Sequence, residues 1–262
     1  MCRTVMLTAT LVLGVVALAG CDQPTPLAPD ATPTADARRA ASGADKKLSP
    51  ALCALDRGDF TLRSENDFFP LGAGSEWEYL GEEDGTRVRL RITVLYDTEV
   101  VGGVTTHVVE EREWNDGELV EVSRNFFAET GEGTVCYLGE DVDIYEDGEV
   151  VSHEGAWRAD APGNAPGIFM PARPRPGMTF AMEHAPGVAE DAGKIVGSGP
   201  VRVPVGVFRE TIRVRETNLL DGEVGYKWFA DDVGLVVDGS VRLVRFQVVD
   251  DDGSHHDAGE DD

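Results

Sequence analysis

The sequence has little positive charge and few long apolar runs. Its 262 residues hold 23 Lys and Arg against 48 Asp and Glu, a formal net charge of -25. Such a charge repels phosphate backbones and anionic lipid headgroups, so we predict no nucleic-acid partner. Apolar stripes with helical spacing are also scarce, whereas 30 Gly and 14 Pro mark many turns. This composition favours short strands joined by turns over a helical fold.

Signatures of known enzyme classes are also missing. The chain has no Gly-x-Ser-x-Gly elbow, no His-Glu-x-x-His pair, no phosphate loop and no dinucleotide fingerprint. Neither Cys53 nor Cys136 has a Cys-x-x-Cys partner for a redox or zinc site. We therefore predict no cofactor and favour a binding protein over a catalyst. An extracytoplasmic hydrolase of unknown substrate remains the alternative.

One apolar run stands at the very beginning of the chain. Residues 5–19 are almost wholly apolar and follow Arg3, the layout of an export signal in residues 1–20. The run is shorter than the roughly 20 residues that a membrane-spanning helix needs. Leu18-Ala19-Gly20-Cys21 then resembles the lipobox of bacterial lipoproteins, in which the cysteine thiol is acylated before cleavage. This resemblance implies a mature chain that starts at Cys21 and is anchored through lipid to a membrane of the cell envelope, facing the periplasm or the exterior.

The rest of the chain divides by composition into three parts. Residues 21–50 combine the anchor cysteine with a Pro-, Ala- and Thr-rich stretch that lacks aromatic residues, which predicts a disordered tether. Residues 250–262 carry seven acidic residues beside His255 and His256, which predicts a second disordered segment. We assign the intervening residues 51–249 to a single folded domain.

The folded domain has the two-residue periodicity of antiparallel strands. Apolar residues alternate with Arg87, Arg89 and Arg91 in the segment 87–96, and Asp-Gly turns separate this segment from similar runs before and after it. We expect the three arginines to pair across strands with Glu110, Glu111, Glu113 or Glu121. The fold class is all-β: one antiparallel meander curled into a half-barrel, barrel or sandwich, with a Pro- and Gly-rich crossover at residues 162–200.

A second resemblance covers residues 68–240. Phe69-Pro70-Leu71 with Trp77, the segment 204–208, and Trp228-Phe229-Ala230 are similar to segments of uncharacterised bacterial exported β-meander proteins. This resemblance implies the same fold and an extracytoplasmic location. It implies no particular reaction.

Two of the four cysteines remain in the mature domain once Cys2 is removed with the signal and Cys21 is acylated. Outside the cytoplasm Cys53 and Cys136 are most simply a disulfide, which would stabilise the domain by on the order of 4 kcal/mol. Two separate buried thiols are the alternative.

We predict that the curled sheet binds an apolar or amphiphilic ligand, or a partner protein. The residues that we expect to line this site are Trp77, Trp157, Phe169, Met170 and Trp228. These side chains could equally belong to the core. A third possibility is capture of a divalent metal by the tail, through His255 and His256.

Overall fold

The structure is a computed structural model that describes residues 45–250 and 253–258. The predicted signal peptide, the predicted acylation site at Cys21 and the tether as far as residue 44 lie outside the described residues. No helix in the described part of the chain is long and apolar enough to cross a membrane.

Strands account for most of the described residues, with two short 3-10 helices near the start, at Pro50–Cys53 and Leu55–Arg57. The strands are β1 (Lys46–Lys47), β2 (Phe60–Thr61), β3 (Glu76–Glu83), β4 (Thr86–Val101), β5 (Val104–Asn115), β6 (Glu118–Thr130), β7 (Val135–Glu146), β8 (Glu149–Ser152), β9 (Trp157–Arg158), β10 (Gly167–Met170), β11 (Met178–Ala181), β12 (Asp191–Ser198), β13 (Val201–Val203), β14 (Gly206–Phe208), β15 (Thr211–Asn218), β16 (Val224–Ala230), β17 (Gly234–Asp238), β18 (Val241–Val249) and β19 (His255–Ala258). The all-β prediction is therefore confirmed.

Almost all of these strands belong to one large sheet. Following the hydrogen-bonded pairs, its order is β1, β11, β12, β15, β16, β17, β18, β3, β4, β5, β6, β7 and β10. Strands β2, β8, β9 and β19 attach at the side, and β13 pairs with β14 in a separate hairpin. Every pairing is antiparallel except β1 with β11, which is parallel.

The sheet curls without closing on itself. Phe169 of β10 and Phe229 of β16 lie far apart in strand order, yet their ring centroids are 6.4 Å apart. Both side chains are buried on the inner face. Curling covers the apolar face of so wide a sheet, because residues 45–250 and 253–258 provide no helical layer to do so.

Asp-Gly turns set the register of the long hairpins, as the sequence predicted. Asp84 and Gly85 have φ of 48° and 86°, and Asp116 and Gly117 have 50° and 93°. Positive φ at both central residues is typical of the type I′ turn, whose twist matches that of the flanking strands. Asp residues tolerate this conformation better than most side chains do, and Gly has no Cβ to clash.

Two sequence predictions need correction in the details. The crossover at 162–200 is rich in loops as predicted, and it also contributes β10, β11 and β12 to the sheet. The tail prediction does not hold for residues 255–258, which pair with β18 as β19. Likewise, the predicted tether ends earlier than residue 50, since β1 already pairs with β11 at Lys46 and Lys47.

The predicted disulfide is confirmed. Cys53 and Cys136 are bonded, with their Cα atoms 5.6 Å apart and a separation of 83 positions in the chain. The bond fastens the helix Pro50–Cys53 at the beginning of the domain to β7, and both cysteines are fully buried.

Candidate functional site: a carboxylate cluster inside the curled sheet

The structure does not gather the five predicted ligand-binding residues in one place. Trp77 is buried, and its Nε1 donates to the carbonyl of Val233 at 2.8 Å. Trp157, Phe169 and Met170 are also buried, whereas Trp228 lies on the outer face of the sheet. Whether any of them contacts a ligand remains a prediction.

Phe169 belongs to an aromatic cluster that fills one end of the interior. Its ring centroid lies 4.6 Å from that of Phe69, 4.9 Å from Phe127 and 5.9 Å from Tyr137. Phe127 and Tyr137 stack at 4.7 Å. Rings at these separations pack edge-to-face or offset, as in an ordinary protein core. This end of the interior is therefore already filled by the protein's own side chains.

The other end of the interior is lined by carboxylates, which we call the acidic interior. One lysine, Lys227, lies among them. The carboxylates are Glu111 and Glu113 of β5, Glu121 of β6, Glu140 of β7, Glu183 of the β11–β12 connection, Asp191 of β12, Glu216 of β15 and Asp238 of β17.

The side chains reach the interior because of strand alternation. Glu111 and Glu113 have the same parity as the buried Val109, and Glu216 has the same parity as the buried Val214. Lys227 has the same parity as Phe229 and pairs across the strands with Asp238. The pleat thus places these strand residues on the concave face.

Lys227 holds two of the carboxylates directly. Its Nζ lies 3.2 Å from Glu216 Oε2 and 3.6 Å from Asp238 Oδ2, and its side chain is 3% exposed. Burial disfavours the ammonium form, but the carboxylates of Asp238, Glu216 and Glu111 outweigh it and raise the pKa of Lys227. The lysine therefore stays charged inside the protein.

A small cavity lies beside Glu216, one of the two carboxylates that Lys227 binds. Tyr137, Phe169, Met182, Glu183, Asp191 and Glu216 line it, and its volume of about 10 Å³ is close to what one water molecule needs. Within the described part of the chain, Glu183 Oε2, Asp191 Oδ1 and Glu216 Oε1 are buried without a hydrogen-bond partner. The three residues are only 3–4% exposed. Such oxygen atoms are costly to bury unpaired.

The acidic interior keeps several carboxyls protonated near neutral pH. Burial, together with the neighbouring carboxylates, raises the pKa of Glu113 to about 7 and that of Glu121 to about 8. Burial also dominates at Glu111, where Lys227 opposes it and the pKa is about 7. Glu140 and Glu183 have pKa values well above the ordinary 4.5, because both are buried and close to other carboxylates. Too many negative charges share this space for all of them to ionise.

Glu111, Glu113 and Glu121 differ from the rest because they are only partly buried, whereas Glu140, Glu183 and Glu216 are almost fully buried. Glu121 and Glu111 nevertheless act electrostatically on Glu140. The acidic interior therefore runs from a solvent-contacting part on β5 and β6 to the closed cavity beside Lys227.

Sequence reasoning assigned these glutamates to the wrong face. Glu111, Glu113 and Glu121 were expected to pair with the arginines of β4, but Arg89 binds Glu78 at 2.6 Å and Arg87 binds Asp116 at 3.3 Å. Their burial could have been inferred from strand alternation, since Glu111 and Glu113 continue the buried series of Val109. Because glutamate side chains are usually exposed, the sequence analysis placed these three on the solvent face instead.

The histidine pair of the tail does not converge on one point. His255 and His256 are neighbours in β19, and neighbouring side chains in a strand point to opposite faces. His256 Nε2 lies 2.6 Å from the carbonyl oxygen of Asp232. Among residues 45–250 and 253–258, no group of three or more His, Cys, Asp or Glu has the geometry to hold a metal ion.

The comparisons with known proteins establish no family for this chain. No known family matches the chain, and no curated protein does. Among solved structures, the crystal structure of a candidate lipoprotein from Parabacteroides distasonis aligns with 74% of this chain and 95% of its own, at 14% identity. Its TM-score of 0.28 is too low to establish a shared fold.

Proposed function

We propose that this protein is a lipid-anchored binding protein of the cell envelope, and that its acidic interior receives the cationic end of an amphiphilic ligand. The observation that carries the proposal is the set of three unpaired carboxylate oxygens, on Glu183, Asp191 and Glu216, around one cavity. A ligand with a positively charged nitrogen supplies the donors that these oxygens lack.

The ammonium group of Lys227 resembles the cationic end of such a ligand. This group already sits between Glu216 and Asp238 in the same interior. A primary ammonium group is about as large as a water molecule, so the cavity is suited to one ammonium group besides that of Lys227. Its positive charge would shift the remaining carboxyls toward their ionised forms and release protons.

The apolar residues that line the cavity are the reason why we propose an amphiphilic ligand. Phe169 and Met182 line the cavity together with the carboxylates, and both are buried. An apolar wall beside a few fixed polar groups is also how small-molecule sites are lined, although such sites are far larger, so this cavity would take only the ammonium end of the ligand. An alkylammonium group combines the two chemistries.

The envelope location rests on the sequence and on the disulfide. Leu18-Ala19-Gly20-Cys21 resembles a lipobox, although Cys21 lies outside the described residues. The bond between Cys53 and Cys136 suits an oxidising compartment outside the cytoplasm. A Cys21→Ala variant should lose incorporated labelled fatty acid and leave the membrane fraction, and unchanged fractionation would reject the anchor.

The binding proposal is tested by calorimetric titration of the purified protein with octylammonium, with octanol as the uncharged probe of the same length. We expect saturable binding of octylammonium alone. Asp191→Asn should weaken it about tenfold, the loss of one charge-assisted hydrogen bond of about 1.5 kcal/mol. Glu190→Gln is the matched control, because Glu190 precedes Asp191, has the same charge and does not line the cavity. Equal binding of octanol, or equal losses in both variants, would contradict the proposal.

A second candidate is a hydrolase, and one observation favours it. Glu140 and Glu183 have pKa values well above 4.5, whereas the pKa of Asp191 rises only to about 6, so a glutamic acid can hold a proton while Asp191 is ionised. Such an asymmetry is what a general acid and its base require. Turnover of ester or glycoside substrates that disappears in Glu140→Gln, but not in Glu190→Gln, would favour the hydrolase over the binding protein.

A further inference from the structure

Positive charge is concentrated on one outer face of this acidic protein. Lys47, Thr179, Lys194, Arg215 and Tyr226 are consecutive partners across β1, β11, β12, β15 and β16. Partners in a ladder point to the same side of a sheet, so three cations form one row. The next pair along, Arg213 and Trp228, adds a fourth cation to the same side. We call these seven residues the basic face: Lys47, Thr179, Lys194, Arg213, Arg215, Tyr226 and Trp228.

Most of these cations are not neutralised by the protein. Lys194 binds Asp45 at 2.7 Å. Within the described part of the chain, Lys47, Arg213 and Arg215 take part in no salt bridge, whereas Arg87 and Arg89 on β4 each have a carboxylate partner. The basic face is thus left with net positive charge, while the protein as a whole has -25.

The aromatic residues of the basic face are organised around Arg213. Its guanidinium carbon lies 4.0 Å from the ring centroid of Tyr226 and 5.5 Å from that of Trp228. Tyr226 is 38% exposed. Tyr and Trp beside Lys and Arg are the residues that membrane proteins place at the level of lipid headgroups.

The tip of the β15–β16 hairpin extends this face with apolar residues. Leu219 is 59% exposed and Leu220 is 46% exposed. Asp221 stands beside them, but its carboxylate accepts a hydrogen bond from the backbone of Glu223 at 2.8 Å within the turn. The tip therefore offers two exposed leucines next to the cationic row.

The chain enters the folded domain at the same face. Asp45 is bound to Lys194, and Lys46 and Lys47 form β1 at the edge of these strands. Only 23 residues, 22–44, separate Asp45 from Cys21, and they span at most about 80 Å. An anchor at Cys21 therefore keeps the entry point of the chain, on this side of the domain, within about 80 Å of the bilayer.

We propose that the basic face docks on anionic phospholipid headgroups and holds the domain against the membrane that carries its anchor. Lys47, Arg213 and Arg215 contact the phosphates, and Tyr226 and Trp228 lie at headgroup depth. The carboxylates elsewhere on the protein do not prevent this contact, because charges beyond about 8 Å are largely screened at physiological salt. The inference rests on the lipid anchor of the proposed function for the orientation of the domain, and not on the acidic interior.

The test uses the mature chain, residues 21–262, with Cys21→Ser, so that no acyl chain contributes. Binding is measured by flotation with vesicles of phosphatidylglycerol and phosphatidylcholine, and with vesicles of phosphatidylcholine alone. We expect binding to the anionic vesicles only, and its loss in 0.5 M salt. Lys47→Gln with Arg215→Gln should weaken binding about 25-fold, about fivefold for each charge removed.

Arg87→Gln with Arg89→Gln is the matched control, since it removes two cations from β4 and should leave binding unchanged. Equal losses in the two double variants, or no binding of the parent chain to anionic vesicles, would overturn the proposal. Equal binding to both kinds of vesicle would do the same, because it would show that charge does not govern docking. Acylation of Cys21 is tested separately by fatty-acid labelling, so a failure of the anchor and a failure of the basic face give different results.

Discussion

The two ends of the interior solve the same packing problem with opposite chemistry. At one end Phe69, Phe127 and Phe169 bury aromatic rings against each other. The other end holds eight carboxylates and Lys227, and four of their oxygen atoms, on Glu140, Glu183, Asp191 and Glu216, are buried without a partner among the described residues. The first arrangement stabilises the fold at any pH. The second is costly, because buried charges lose their hydration.

This difference indicates which end was shaped by something other than stability. A core as wide as this one could be completed with valine and leucine, as it is around Val214 and Leu243. Buried carboxylates with shifted pKa values are instead typical of sites that bind or react. We therefore place function at the acidic end and folding stability at the aromatic end.

The largest expected effect is on the pH dependence of stability. Carboxyls of the unfolded chain titrate near 4.5, whereas Glu111, Glu113 and Glu216 hold their protons up to about pH 7, and Glu121 up to about pH 8. Their contribution is complete below pH 4.5 and is lost as the pH rises to 8. Thermal unfolding should fall on the order of 10 °C between pH 5 and pH 8. A melting temperature that rises over this range would contradict the shifted pKa values.

Removal of Lys227 should be the most damaging single substitution at the acidic end. Lys227→Met leaves Glu216 and Asp238 without their cation and should lower the free energy of unfolding by about 3–5 kcal/mol at pH 8. At pH 5 the loss should be smaller, because the carboxyls then take up protons. Chemical denaturation at both pH values measures the difference, and an equal loss at both would show that the lysine is not paired as described.

Truncation at the aromatic end should show no such pH dependence. Phe127→Ala removes contacts with Phe69, Tyr137 and Phe169 and should cost about 3–4 kcal/mol. The same denaturation experiment should give the same loss at pH 5 and pH 8. A strong dependence on pH would mean that the two ends are energetically coupled.

The smallest expected effect is a gain. Burial and the neighbouring carboxylates raise the pKa of Glu183, so Glu183→Gln replaces a carboxyl that favours its neutral form with an amide of the same shape and should change stability little at pH 6. At pH 9, where ionisation of the parent is more favoured, the variant should be the more stable of the two, because Gln cannot ionise. Glu190→Gln should show no such gain, and a destabilised Glu183→Gln at pH 9 would argue against a protonated Glu183.

Much of the architecture could be predicted from the sequence because it depends on local chemistry. Two-residue alternation and Asp-Gly turns located the long hairpins, and the compartment predicted the bond between Cys53 and Cys136. The acidic interior could not be predicted in the same way. Its members come from strands far apart in the chain, such as Glu121 and Glu216, and only the curl of the sheet brings them together.

The order of the tail, and the strands within the crossover, could not be predicted for a related reason. Strand β19 forms because the edge of β18 offers hydrogen bonds to residues 255–258, which composition alone does not reveal. The Pro-Gly pairs of residues 162–200 mark turns, but short strands between them complete the sheet. In each case a partner distant in sequence decided the local structure.

The central claim is that the acidic interior stores protons in the folded protein at neutral pH. The most direct measurement is unfolding calorimetry at pH 6.5 in several buffers that differ in ionisation enthalpy, because it counts the protons exchanged on unfolding. Glu111, Glu113, Glu121, Glu140, Glu183 and Glu216 should together release about three or more protons. Release of none, or net uptake, would show that these carboxylates are ionised in the folded state and would contradict the account.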